Sequence, residues 1–375
     1  MHSGGLKTFG LQTSDYYKCH LDSWLHLVLT SGLEVLILKL WTQRPKYNFP
    51  CSLLSGKSRD LIRKLCLSFC TFRPTVRLSL NNLKKLYLSF VSTTSDELEC
   101  LLSDSFALER LELRHSSEIV HLKIPYLLQR LSYLELIACD SLKVIGNKAP
   151  NLSTFHFKGN DIVQLSLGEA CQVTNLYMSC YEAIHFARVD LPLIAPNLEM
   201  LTIESPSEQI PEPEVLGYVC SCSPAGGGEF FVPNYDYFSL VSFFDASPSL
   251  ETFILDIYIP TAFEDPESVL GEASHMRRMA ELRHGKLKRV KITNFYPAKS
   301  LVELTCHILE RSSLQCLTLD TCCCCHEKSY SYSKYGKCFI LAVRAHIEGK
   351  VPSTARLDFP KRCTLDVKLS LTCNV

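Results

Sequence analysis

Apolar residues recur along the chain in one spacing, L-x-x-L-x-L, with other apolar residues allowed at the Leu positions. The pattern opens as LKTFGL from Leu6, LEVLIL from Leu33, IRKLCL from Ile62 and LKKLYL from Leu83. It continues as LERLEL from Leu108, LSYLEL from Leu131, LSTFHF from Leu152 and VTNLYM from Val173. LEMLTI from Leu198, LETFIL from Leu250, LKRVKI from Leu287 and LQCLTL from Leu314 bring the total to twelve copies. The intervals between starts are 27, 29, 21, 25, 23, 21, 21, 25, 52, 37 and 27 residues. Nine of these eleven fall in the window of about 20–29 residues that marks a leucine-rich repeat.

The L-x-L portion alternates with period two, as a strand with one buried face does. One such strand cannot bury its apolar side alone, whereas stacked copies share a continuous core. The pattern predicts an α/β leucine-rich-repeat solenoid (a horseshoe) with a parallel sheet on its concave face and mixed strands and helices on its convex face. An Asn or Cys is expected three positions after the last apolar residue. Cys70, Cys139, Asn160 and Cys322 stand there, and the other copies lack it, so the buried polar ladder is expected to be incomplete. Ala149-Pro150-Asn151, Ala195-Pro196-Asn197 and Ser247-Pro248-Ser249 mark turns ahead of three copies.

The runs IVHLKI at 119–124 and IVQLSL at 162–167 read as second short strands on the convex side. Tyr235 to Asp245, Ser274 to His284 and Ala298 to Arg311 read as amphipathic helices. The longest interval holds an insertion, about 205–232, rich in Pro and carrying Gly226-Gly227-Gly228, which reads as a surface loop. The repeats are assigned to residues 1–328. A helix at Tyr335 to Ile347 and an extended stretch at Ala355 to Phe359 then make 329–375 a C-terminal capping segment. At the other end, Leu6, Phe9 and Leu11 already form a repeat strand with five residues before it. The first repeat is therefore expected to be the least stable, with a covering piece missing before Met1.

The residue between the last two apolar positions of each copy points to the concave face. Along the copies this gives Gly10, Ile37, Cys66, Tyr87, Glu112, Glu135, His156, Tyr177, Thr202, Ile254, Lys291 and Thr318. Five successive large or charged positions, Tyr87, Glu112, Glu135, His156 and Tyr177, are the candidate partner-binding residues. Strands lie about 4.8 Å apart, so the five span about 20 Å, enough for a peptide or a protein edge. The expectation requires Tyr87, Glu112 and Glu135 to be exposed on that face.

Lys plus Arg and Asp plus Glu are both 39, a formal net charge of zero. This argues against a uniformly basic nucleic-acid binder. The 19 cysteines are irregularly spaced, which suits reduced thiols acting as small apolar residues. The N-terminus lacks a signal-peptide apolar run, and no stretch reaches the roughly 18 apolar residues of a membrane span. A protein of the cytoplasm or nucleus is expected, with no membrane association.

Candidate chemistry is sparse. Gly56-Lys57-Ser58 has the end of a phosphate loop, but Cys51 stands where its first Gly is required. Cys322 to Cys325 with His326 contains one C-x-x-C pair, and Cys338 follows; a zinc site needs four ligands. Cys220 and Cys222 are too close together for a usual second pair. The alternative to a binding module is thus a zinc-binding or thiol-dependent protein using the Cys322–His326 cluster. Arg277, Arg278, Arg283, Lys286, Lys288, Arg289 and Lys291 form a basic cluster broken by Glu281, suited to phosphate contact, to an import signal or to a solvated surface. Glu264 and Asp265 have no partner base. Nothing assembles a catalytic constellation, so no enzyme activity, resident metal or cofactor is expected.

The chain resembles the plant F-box/leucine-rich-repeat family, especially the cereal-expanded group with an FBD-like or MIF-type repeat region. The resemblance rests on GLKTFGL near the start, APNL at 149–152 and 195–198, SPSLETFIL at 247–255 and VRAHIEGKVPSTARLDF at 343–359. It implies the substrate-recognition region of a ubiquitin ligase receptor, with an unidentified protein target. Family members usually begin with an F-box that docks on a Skp adaptor of a cullin ligase, and this chain starts inside a repeat. Skp and cullin partners are expected only if an F-box lies upstream.

Overall fold

Each apolar copy becomes a short strand in the computed structural model. The structure describes residues 6–14, 18–41, 46–54, 60–74, 78, 80–168, 172–205, 235–257, 276–277, 283–296, 298–320 and 343–358. The chain divides into two units, Met1–Cys180 and Tyr181–Val375.

The strands of the first unit are β1 (Thr8–Ser14), β2 (Val35–Trp41), β3 (Tyr47–Asn48), β4 (Lys64–Ser68), β5 (Cys70–Thr71) and β6 (Lys85–Ser89). They continue as β7 (Arg110–Arg114), β8 (His121–Ile124), β9 (Tyr133–Ile137), β10 (Val144–Asn147), β11 (Thr154–Lys158), β12 (Gln164–Ser166) and β13 (Asn175–Ser179). The main sheet runs β1-β2-β4-β6-β7-β9-β11-β13, and every neighbouring pair is parallel. These are the first eight L-x-x-L-x-L copies in chain order. In the seven copies from Leu33 to Val173, all three apolar positions are buried. Each buried Leu is worth about 1.5–3 kcal/mol over leaving it in water, so this stack supplies most of the unit's cohesion.

The elements behind the sheet change along the unit. Helix α1 (Lys18–Thr30) buries Leu21, Leu25, Val28 and Leu29, one face at helical spacing. Helix α2 (Ser95–Ser103) starts in a capping box: Thr94 accepts from the Glu97 amide while the Glu97 carboxylate accepts from the Thr94 amide. The two expected convex strands form as β8 and β12. Between them lies β10, which the apolar pattern did not single out, completing a parallel sheet β8-β10-β12. Buried Asn147 on β10 closes this layer, donating to the Ala149 and Leu167 carbonyls at 3.1 and 3.2 Å. Gly168 has φ +81 and approaches the Asn147 carbonyl so closely that a Cβ would sit 2.9 Å from it, so only Gly fits.

The polar ladder is incomplete, as expected, but differs in membership. The position three residues past the last Leu holds buried Cys70, Val91, Ser116 and Cys139 in successive copies. Asn160 is exposed instead and donates to Asp140 at 3.5 Å.

Four successive strands end in left-handed backbone without glycine: Phe69, Phe90, His115 and Ala138 have φ of 56, 55, 51 and 48. Their amides still donate to the next strand, to the carbonyls of Ser89, Arg114, Ile137 and Lys158. The left-handed turn swings the side chain to the rim, where the inter-strand spacing matches ring stacking. Phe69 and Phe90 stack at 4.3 Å and 9°, and Phe90 and His115 at 4.1 Å and 10°. Trp41 extends the row at 6.3 Å from Phe69. Left-handed backbone costs about 1–2 kcal/mol per non-glycine residue, an amount that ring contacts of this kind can offset.

The second unit contains β14 (Met200–Ser205), β15 (Thr252–Ile257), β16 (Arg289–Thr293), β17 (Cys316–Asp320) and β18 (Arg356–Asp358), paired parallel in that order. Its helices are α3 (Ala183–Val189), α4 (Leu191–Ile194), α5 (Val241–Ala246) and α6 (Lys299–Arg311). The helix read at Tyr235 to Asp245 forms as a 3₁₀ turn, Tyr237–Leu240, running into α5. The stretch read as Ala298 to Arg311 forms as α6 with Ala298 at its N-cap. Of the terminal segment, Val343–Ile347 is a π-helical turn and β18 adds one more parallel strand beside β17. The insertion, Gly56 to Ser58, Glu264, Asp265, the Cys322–His326 cluster, Cys338 and most of the Ser274 to His284 stretch lie outside the described residues.

Strand β1 is the thinly covered edge of its sheet: Leu6 is 46 % exposed, and Phe9 and Leu11 are only half-buried. Native-state hydrogen exchange should find the amides of β1 exchanging well before those of β9 and β11. Equal protection would show that this edge is as firmly held as the centre.

Candidate functional site

Register builds the site. Tyr87, Glu112, Glu135, His156 and Tyr177 are successive Cα partners on β6, β7, β9, β11 and β13, one row across the sheet. Each lies between two buried apolar residues of its strand, so the row stands on the open face, opposite the leucine core. Tyr87, Glu112, His156 and Tyr177 are partly exposed.

The expectation that Tyr87, Glu112 and Glu135 all stand exposed fails, and the five-residue row is not the binding surface as the sequence read it, because Glu135 is buried. It is 5 % exposed, covered by long side chains from the flanking rows of the same face. It is an internal acceptor and offers little to a partner. Arg114 Nε donates to Glu135 Oε1 at 2.7 Å, and Tyr133 Oη donates to Glu135 Oε2 at 2.7 Å. Tyr133 Oη also lies 3.2 Å from His156 Nδ1. Since the phenol proton goes to Glu135, the His156 nitrogen facing it carries the hydrogen, making a chain from imidazole to phenol to carboxylate.

Glu112 is held from both sides. Arg110 Nε donates to its Oε1, and Arg114 reaches its Oε2 at 3.8 Å. The Arg110 guanidinium carbon lies over the Tyr133 ring at 3.4 Å, and that of Arg114 lies 5.5 Å from the Tyr87 ring centre. His156 approaches the Tyr177 ring at 5.6 Å. Two arginines and two glutamates therefore balance within one lattice of aromatic rings.

Burial shapes the protonation of this lattice. It holds the His156 imidazole below its ordinary range, Glu135 pulling the other way and Arg110 adding to the depression. The neutral ring is thus the favoured form near neutral pH, and its Nδ1–H tautomer is the one that donates to the phenol. Burial and the Glu135 hydrogen bond push the Tyr133 phenol up, so it stays a donor. Burial opposes the Arg114 charge, but the Glu135 carboxylate outweighs it.

Sequence reasoning found the central row and missed Arg110, Arg114 and Tyr133. These lie two positions away along their strands, and the alternation that points them to the open face was the available signal. In the second unit, Thr202, Ile254, Lys291 and Thr318 occupy the corresponding registered row. Three described members of the basic cluster are engaged, Arg289 donating to Thr252 at 3.2 Å. Arg277 donates to Asp236 and to buried Glu303, and Lys288 pairs with Glu251 at 3.1 Å.

The cysteines among the described residues are free thiols, and most are buried. Burial pushes Cys51 up to about 11 and Cys70 up to about 12, far from a reactive thiolate. Among the described residues no group of three or more His, Cys, Asp or Glu is placed to hold a metal ion. No helix of the described residues is long and apolar enough to cross a membrane.

Parallel strands recurring at this period, with the leucines on one face and a registered polar face opposite, define a leucine-rich-repeat protein. Residues 1–364 match the At1g61320/AtMIF1 leucine-rich-repeat domain, and the chain belongs to that family. No curated protein matches it.

The unequal burial of Glu135 and Arg114 sets an order of mutational costs. Glu135→Ala leaves an arginine that water can reach and should cost about 2 kcal/mol. Arg114→Ala strands a buried carboxylate and should cost about 3 kcal/mol or more. Urea unfolding of both variants checks the order, and a larger loss for Glu135→Ala would contradict this account of the lattice.

Proposed function

We propose that the chain is a protein-binding module whose recognition surface is the open face of β6, β7, β9, β11 and β13. The observation that carries the reading is the registered row of Tyr87, Glu112, His156 and Tyr177 over the Arg110–Glu135 lattice. Aromatic side chains give a partner large contact area at small entropic cost, and arginine and tyrosine are frequent interface anchors. Hydrogen bonds and ion pairs already fix Arg110, Arg114, Glu112 and Tyr133, so less freedom is lost there on binding. Glu135 serves as the internal post that holds Arg114 and Tyr133.

Within an F-box receptor these repeats would recognise the substrate, and the adaptor contact would belong to the F-box. The segment 329–375 is assigned as the C-terminal cap, supported by β18 lying beside β17.

Two measurements test the reading. A photo-crosslinking amino acid replacing Tyr87 or Tyr177 should capture a protein in cell extract, whereas one replacing Tyr126, exposed on the turn behind the sheet, should not. Capture only from position 126 would overturn the assignment. Separately, chain 1–375 should show no submicromolar affinity for a purified Skp adaptor, and tight binding would place adaptor docking in the repeats themselves.

A further inference from the structure

Two rows of charge cross the first sheet, and they differ in whether carboxylates stand among the cations. The row at the strand starts, Lys7, Glu34, Arg63, Lys84 and Glu109, sets a carboxylate beside every cation, although Arg63 and Lys84 also neighbour one another: Lys7 pairs with Glu34 at 3.1 Å, Arg63 with Glu34 at 3.5 Å and Lys84 with Glu109 at 2.8 Å. One position further on, the row turns onto the open face and holds no carboxylate. Lys64, Lys85 and Arg110 are direct register partners on β4, β6 and β7, three like charges side by side. Like charges directly opposite one another destabilise a sheet. Arg110 is relieved by Glu112, but neither Lys64 nor Lys85, nor Lys39 nearby on β2, has a carboxylate partner among the described residues. The open face of this sheet carries six cations, with Lys39, Arg114 and Lys158 completing the set, against Glu112 and Glu135. That is a formal excess of four positive charges in a chain of net charge zero.

The same strands end at the ring row, where Trp41 is 60 % exposed and Phe69 half-exposed. Lys85 and Phe90 are five residues apart on one strand, about 16 Å. An extended ligand covers that distance with about five residues.

Resting on the protein-binding reading above, we propose that the face of β2, β4, β6 and β7 captures an acidic segment of the partner protein. Asp or Glu side chains of that segment lie over Lys64 and Lys85. About five residues away, an aromatic or large aliphatic side chain packs against Trp41 and Phe69. A single-stranded nucleic acid fits less well. The faces of Phe69 and Phe90 are covered by each other at 4.3 Å, leaving few ring planes on which bases could stack, and Glu112 sits within the basic field.

The test is selection of a random displayed peptide library on chain 1–375, followed by anisotropy titrations of the enriched peptides and of a labelled uridine-rich RNA. Enriched peptides should be acidic and carry an aromatic or aliphatic residue, and their affinity should fall with rising salt. The Lys85→Glu variant should lose at least about tenfold in affinity while its thermal midpoint holds or rises, because a carboxylate then stands between Lys64 and Arg110 and the like-charge row is broken. Trp41→Ala should weaken the same peptides. Neutral or basic enriched peptides whose binding is lost in Tyr177→Ala would overturn the acidic assignment and leave the protein-binding reading intact. Acidic peptides bound equally well by the charge-reversed variant would also overturn it. RNA bound with no peptide enriched would overturn both.

Discussion

Parallel register is the constraint on which everything else depends. A slip of one residue between two strands would carry every leucine from the core to the open face, because side chains alternate with period two. The buried leucines therefore hold each strand at a single offset, and that offset decides which polar residues become neighbours. Tyr87, Glu112, Glu135, His156 and Tyr177 are 21 to 25 residues apart in sequence and adjacent only through this registration. The core thus builds the site indirectly: it lines up side chains that it does not touch.

The same registration explains the strand ends. Left-handed backbone at Phe69, Phe90, His115 and Ala138 is unfavourable for each residue alone. Repeated at one level of successive strands, it stacks the rings of the first three at the spacing of the sheet. The row stops where Ala138 supplies no ring, although the left-handed turn persists there. The backbone turn thus belongs to the repeat, with its hydrogen bond to the next strand, and the aromatic stack is an addition that four copies happen to encode.

Much of this was legible in the chain. Twelve apolar copies mark twelve of the strands, and the residue between the last two apolar positions of each does lie on the open face. What was not legible came from the second dimension of the sheet. Reading one position per copy predicts a single row, and it cannot show that Arg114 of one copy reaches Glu135 of the next and buries it. Asn160 fits the spacing of a buried ladder yet is exposed, because position three past the last Leu is inside only where the following turn keeps the same path. β10 escaped notice because Val144–Asn147 is only four residues long and has Gly146 where an alternating strand would carry a side chain. For the second unit, the described rows bring fewer large side chains together, and the sequence signalled no more than the structure shows.

The sheet also separates two uses of charge. At the strand starts each cation has a carboxylate neighbour, and each such exposed pair contributes up to about 1 kcal/mol. On the open face, Arg110, Arg114, Glu112 and Glu135 lock an aromatic lattice, and the lysines on β2, β4 and β6 are left unmatched. Selection for stability alone would place a carboxylate between Lys64 and Arg110, as it does between Lys7 and Arg63 one row away, where Glu34 stands. Local rules are broken where a surface answers to something outside the fold. The two neighbouring rows part at β7: the strand-start row turns there to Glu109, which pairs with Lys84, whereas the open-face row sets Arg110 beside Lys85, and that difference on one backbone locates the demand on the open face of β6 and β7 more sharply than the composition of the chain could.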